Sequence, residues 1–154
     1  MKRQTVTAAE ARAMLAEELK RSKYGIRQDP AGKAARTVDG VLFDSAGEAN
    51  RWKELMLLEQ SERIRGLSRQ VTIEIAPKRD RLRAVKYVAD FHYWEYHKTG
   101  LVDHEFPWRE VYEDFKGADT PVSRIKRNLA ARLLIENAVM CVTHADGTRE
   151  DYTR

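Results

Sequence analysis

Asp114 and Lys116 stand two residues apart in Val111-Tyr112-Glu113-Asp114-Phe115-Lys116, a run of strand-forming residues. Strand side chains alternate faces, so Asp114 and Lys116 share one face with Tyr112, while Glu113 shares the other with Phe115. A carboxylate and an ammonium so placed have two readings. They can form a plain ion pair on an exposed strand. They can also hold a divalent cation and steady an attacking water, the parts that phosphodiester hydrolysis uses. A bulge in this strand would exchange the roles of Glu113 and Asp114.

Asp90 adds weight to the second reading. It sits in Tyr87-Val88-Ala89-Asp90-Phe91, an apolar strand. A carboxylate there is costly without a metal, a proton or a cationic partner. The plainer alternative is a strand-end aspartate that caps a turn. The span from Asp90 to Asp114 accommodates two adjacent antiparallel strands and their loop, so the two acids can converge. Glu48 is the third acid. Ser45-x-x-Glu48 is a capping box, which would leave Glu48 satisfying the start of a helix. Glu48, Trp52, Leu55 and Glu59 also recur along one helical stripe, which leans Glu48 toward the sheet and makes it a candidate metal ligand. The two roles are compatible.

The elements that must position these residues follow from period and punctuation. Thr7 with Glu10 opens a helix over 7–21, whose stripe of Met14, Leu15 and Leu19 is narrow, as for a loosely attached arm or a partner-binding helix. Residues 22–36 read as a basic loop. Asp39-Gly40 between two short apolar runs predicts a hairpin. Asp44 or Ser45 caps a helix over 46–60. Val71, Ile73 and Ile75 alternate with Gln70, Thr72 and Glu74 in a strand that Pro77 ends. The turn 78–83, KRDRLR, leads to strands over 85–96 and 109–116. Thr120-Pro121 starts a helix that runs to about Asn137, with Val122, Ile125, Leu129 and Leu133 as its expected core stripe. Val139 to Thr143 reads as a last strand before a polar tail. This order predicts an α/β domain with a central mixed sheet flanked by helices and an extra N-terminal helix. The division expected is an arm over 1–22 and a domain over 23–154.

Composition bounds the partners. The 154 residues suffice for one folded domain. Mean hydropathy is −0.64, and no window approaches a membrane span. The lone Cys141 excludes an internal disulfide framework and a multi-cysteine zinc site, so a reducing, cytoplasmic setting is the expectation. The four histidines show no ligand spacing. Net charge is +4, and arginine supplies 18 of the 28 basic residues. The guanidinium fork suits phosphate oxygens, which makes a polyanion a reasonable partner. Lys23 in the basic loop, Arg79 and Arg81 in the KRDRLR turn, and Arg124, Lys126 and Arg127 on the helix after Thr120 are the candidate contacts to a nucleic-acid backbone.

Taken together, Glu48, Asp90, Asp114 and Lys116 resemble the nuclease superfamily named for its PD-(D/E)xK motif. Lys23-Tyr24-Gly25, Val38-Asp39-Gly40, Phe43-Asp44-Ser45, Gly66-Leu67, Val88-Ala89-Asp90-Phe91, Tyr112-Glu113-Asp114-Phe115-Lys116-Gly117 and Thr120-Pro121, in that order, are similar to DUF1064, a phage and prophage family grouped with Holliday-junction-resolvase-like nucleases. The resemblance covers about 23–136. It implies a restriction-endonuclease-like core with Mg²⁺ or Mn²⁺ at the strand ends. Asp90 would be the bridging acid, Asp114 the second ligand and Glu48 the first-helix acid. Lys116 would orient water or stabilise developing charge, and Gln70 would be accessory. Ala89 stands where the superfamily's named proline precedes the first acid. The activity implied is endonucleolytic cleavage of double-stranded or branched DNA in a bacterial host cell. A homodimer is compatible with it, since cutting a junction takes two sites. The competing reading is a phage protein on the same fold that binds nucleic acid or a partner and cuts nothing.

Overall fold

The computed structural model describes residues 7, 9, 26–97, 107–116 and 119–153. The expected helix over 7–21 and Lys23 therefore lie outside the described residues, apart from Thr7 and Ala9. The chain divides into two compact units, Met1–Ala49 and Asn50–Arg154.

In the first unit, Asp29-Pro30 starts a short helix α1 (Pro30–Ala34), where the sequence reading expected only loop. The Asp29 side chain accepts from the amide of Gly32, and proline fills the first helical position. Strands β1 (Thr37–Val38) and β2 (Val41–Leu42) form the expected hairpin over Asp39-Gly40, both in the left-handed region. Buried Arg36 donates to the carbonyl of Phe43 at 2.5 Å and to Gln28 at 3.1 Å, tying the hairpin to the segment before α1. Helix α2 (Ala46–Gln60) begins here and continues into the second unit.

The second unit is built on a five-stranded sheet in the order β3 (Ile64–Ala76), β4 (Val85–Tyr96), β5 (Trp108–Lys116), β6 (Ala138–His144) and β7 (Arg149–Tyr152). All neighbours are antiparallel except β5 and β6, which are parallel. A parallel pair needs a crossover, and helix α3 (Pro121–Ala131) supplies it. The architecture is thus mixed α/β, as expected from the element order.

One face of the sheet carries Phe91, stacked on Trp52 of α2 at a centroid distance of 6.0 Å, with buried Tyr93, Val111 and Cys141 on the same strands. The other face packs Tyr87, Ala89 and Met140 against Ala130, Ala131 and Leu134 from α3 and its C-terminal turn. Ala89 and Phe91 are two apart on β4 yet serve opposite faces. A regular strand would put them on one face, so β4 turns over at Asp90. The ladders agree. Pairing of β3 with β4 passes from Arg69↔Phe91 to Val71↔Ala89 and omits Gln70, whose φ is +53. Pairing of β4 with β5 starts only at Phe91↔Glu113.

Three expectations are corrected. The polar tail contains a strand, β7, and β3 begins six residues earlier than the alternation from Gln70 indicates, running through Gly66 at φ +67. The stripe Val122, Ile125, Leu129 and Leu133 is not the core face of α3. All four are exposed, and the helix buries Arg127, Ala130 and Ala131 instead. The alanines let the helix backbone approach Tyr87 and Met140 closely, and the arginine finds carboxylates beneath it.

Candidate active site

The turnover of β4 decides where Asp90 goes. Just before the β4–β5 ladder begins, the Asp90 carboxylate receives the amide of Phe115 at 2.9 Å. Asp90 is thereby held beside Asp114, one residue before Phe115 on the neighbouring strand. Gln70 occupies the ladder gap opposite Asp90, in strained left-handed backbone.

Asp114 is 1% exposed. Its Oδ2 accepts a short hydrogen bond from the Tyr87 hydroxyl, lies 3.1 Å from Nζ of Lys116, and has Nη1 of Arg127 at 3.8 Å. Its Oδ1 takes no hydrogen bond among the described residues. Burial first, and the Asp114 charge second, push the Tyr87 hydroxyl far above its usual titration range, so it stays a donor at any working pH. Arg127 reaches Asp119 at 2.6 Å and Tyr152 at 3.3 Å, and its guanidinium lies over the Tyr152 ring at 4.8 Å. The Arg127 hydrogen bond holds the Asp119 carboxyl below the usual carboxylate range. Asp119 precedes Thr120, whose side chain caps α3 by accepting from Ser123, so the start of the helix is fastened to the strand acid.

Glu113 is separate. It points to the α2 face, fully buried, where Arg51 Nε and Nη2 clasp its two oxygens at 2.6 and 3.0 Å and the Tyr93 hydroxyl donates at 2.6 Å. The register of β5 on β6 is continuous from Glu110 to Lys116, so no bulge exchanges Glu113 with Asp114. Its pairing is a bidentate structural lock.

The sequence-derived set divides as follows. Lys116 lies 3.1 Å from Asp114, Asp90 accepts from the amide of Phe115 between them, and Gln70 stands across from Asp90 along β3. Glu48 belongs to the first unit, where its amide donates to Ser45 Oγ and the Ser45 hydroxyl donates to its Oε1, both at 3.1 Å; the capping role is present. Arg79 and Arg81 are exposed on a tight turn closed by two hydrogen bonds between Arg79 and Leu82. Arg124 is exposed but pairs with Asp119 at 3.4 Å, and Lys126 is half-buried. Arg127 is a correction: at 1% exposure it is a buried cation serving two aspartates, not a surface contact for a phosphate backbone. Sequence reading missed Tyr87 and Arg127 as partners of Asp114. The signal was present in the cost of burying Asp114, which called for donors from elements packed above it.

Among the described residues no group of three or more histidine, cysteine or acidic side chains is placed to hold a metal. Two carboxylates on adjoining strands, each with one oxygen oriented by a donor, match the manner in which Mg²⁺ is commonly held, through one or two carboxylates with water and substrate phosphate completing the shell.

The fold and this site define a class, a mixed α/β domain with a strand-end carboxylate pair and an adjoining lysine. Residues 21–143 match the family model described as "Protein of unknown function (DUF1064)", and the chain belongs to that family. No curated protein and no solved structure matches the chain. No helix among the described residues is long and apolar enough to cross a membrane.

Proposed function

We propose that this protein is a Mg²⁺- or Mn²⁺-dependent endodeoxyribonuclease of phage or prophage origin, built on a restriction-endonuclease-like core and acting on branched or otherwise structured DNA. The observation that supports this reading is the Asp114–Lys116 pair at 3.1 Å, with the Asp90 carboxylate bonded to the amide of the residue between them. Asp90 and Asp114 would hold the ion, which when bound acidifies water and neutralises a phosphate. Lys116, half of whose work in the resting site is to neutralise Asp114, would turn to the phosphate or the water. Gln70 would be the accessory residue near the water or the phosphate.

Incubation with linear, flapped and four-way DNA, in Mg²⁺, Mn²⁺ or chelator, tests the proposal. Cleavage that chelator stops is expected, and Asp90→Ala should lower it on the order of a hundredfold or more while DNA binding survives. Equal cleavage by the variant would remove Asp90 from the site.

A second reading, a nucleic-acid-binding protein that cuts nothing, draws on a specific feature. Asp114 is already neutralised by Lys116, Arg127 and Tyr87, as a purely structural acid would be. Metal-independent DNA binding with no cleavage of any substrate would favour it.

A further inference from the structure

The outward face of α3 is an unexplained part of the second unit. Val122, Ile125 and Leu129 are 64%, 61% and 42% exposed, and Leu133 and Ile135 extend the row past the C-cap at 54% and 64%. The helix packs by its opposite side, through Arg127, Ala130 and Ala131. Spacings of three and four residues make this a continuous ridge, with on the order of several hundred Å² of aliphatic surface, the size at which an exposed patch on a soluble domain has a use. The ridge has the i, i+3, i+7 anchors of helix-to-helix docking.

Charge selects the occupant. Lys126 flanks the ridge on one side and Arg132 on the other, with Arg124 further round, and no acidic residue occurs from Pro121 to Ile135. A second copy would bring like charges together across the same seam. DNA would meet aliphatic side chains where it needs donors, since Arg127 is buried and Arg124 is already paired with Asp119. We propose that the outward face of α3 is a docking surface for an acidic amphipathic helix of a partner protein, its apolar seam laid on Val122, Ile125, Leu129 and Leu133 and its carboxylates on Lys126 and Arg132. This does not depend on the nuclease reading.

The probe is a labelled eighteen-residue peptide (~18, five turns of helix) with leucine at heptad positions a and d and glutamate at e and g, titrated with the full chain. Its twin carries lysine at e and g. The glutamate peptide should bind saturably and more weakly as salt rises, and the lysine twin about tenfold or more weakly. I125E/L129E should lose the binding with its thermal midpoint unchanged, since both residues are exposed. K126E/R132E should reverse the preference between the two peptides. Three results would overturn the proposal: equal binding, or none, of both peptides; a wild-type dimer in sedimentation that I125E/L129E splits, which makes a second copy the occupant; or loss of duplex-DNA binding in I125E/L129E, which makes DNA the occupant.

Discussion

At the scale of single residues, the candidate site depends on which oxygen of Asp114 is occupied. Tyr87, Lys116 and Arg127 all approach Oδ2. On the proposed metal role, Oδ1 would be the oxygen to meet the ion, and Tyr87 the group that fixes the carboxylate's rotation. Tyr87→Phe removes one hydroxyl and little volume. If the metal reading holds, it should raise the metal concentration needed for half-maximal cleavage by about tenfold, the usual cost of losing a partner behind a ligand. Calorimetric titration of Mn²⁺ into the DNA-free variant reads the same shift without catalysis. An unchanged Mn²⁺ affinity would make the hydroxyl a packing feature. Gln70 offers the converse experiment. Its backbone sits at φ +53, where a side chain costs about 1 kcal/mol and glycine costs little. Gln70→Gly should therefore raise the thermal midpoint while lowering any cleavage. A lower midpoint would mean that the Gln70 side chain contributes more than its backbone costs.

At the scale of elements, β7 is held to the sheet by its ladder with β6 and by a network of charges. Arg149 reaches Glu95 at 2.8 Å, Arg109 also pairs with Glu95, and Arg109 and Arg149 both contact Asp151. Burial alone would raise the Glu95 carboxyl, but the hydrogen bonds from Arg149 and Arg109 outweigh it and hold it below the ordinary carboxylate value. A depressed folded value means that the network's stabilisation is whole above the ordinary carboxylate range and is lost as pH falls through the folded value. The midpoint gap between wild type and Glu95→Gln should accordingly be constant near neutrality and close in acid; a gap that persists in acid would assign it to packing. This network also explains why β7 was illegible in the sequence. Arg149-Glu150-Asp151-Tyr152 has no apolar alternation, because its cohesion comes from partners on β4 and β5. The hairpin at Asp39-Gly40, α2, β4, β5 and the Thr120-Pro121 helix start were legible, since their turn chemistry, caps and period are local. The orientation of α3 was not. Hydropathy assigns its leucines and isoleucine to the core, whereas two small residues and a paired arginine lie there. The nearness of Asp114 and Lys116 was legible from alternation, but the turnover of β4 at Asp90 was not, because no glycine or proline marks it.

At the scale of the whole molecule, the cations sort into two populations. Arg51, Arg109, Arg127 and Arg149 are engaged by carboxylates within the second unit. Lys78, Arg79, Arg81, Arg83 and Lys86 are exposed along the β3–β4 turn and its flanks. The second group, exposed and clustered, is free to displace counterions from a nucleic acid. Replacing Arg79 and Arg81 with glutamine should reduce the slope of log affinity against log salt by roughly 1 to 2, given about 0.9 per phosphate contact. A slope equal to that of wild type would move the nucleic-acid path away from this turn. Cys141 sits in the strand between β5 and β7, fully buried, with burial and the Glu113 charge pushing its thiol well above the usual range. It is inert to alkylating and disulfide reagents for as long as β6 stays closed. The protein thus carries its own clock for sheet opening: the rate at which its one thiol reacts with an added reagent counts how often the centre of the domain comes apart, with no residue changed.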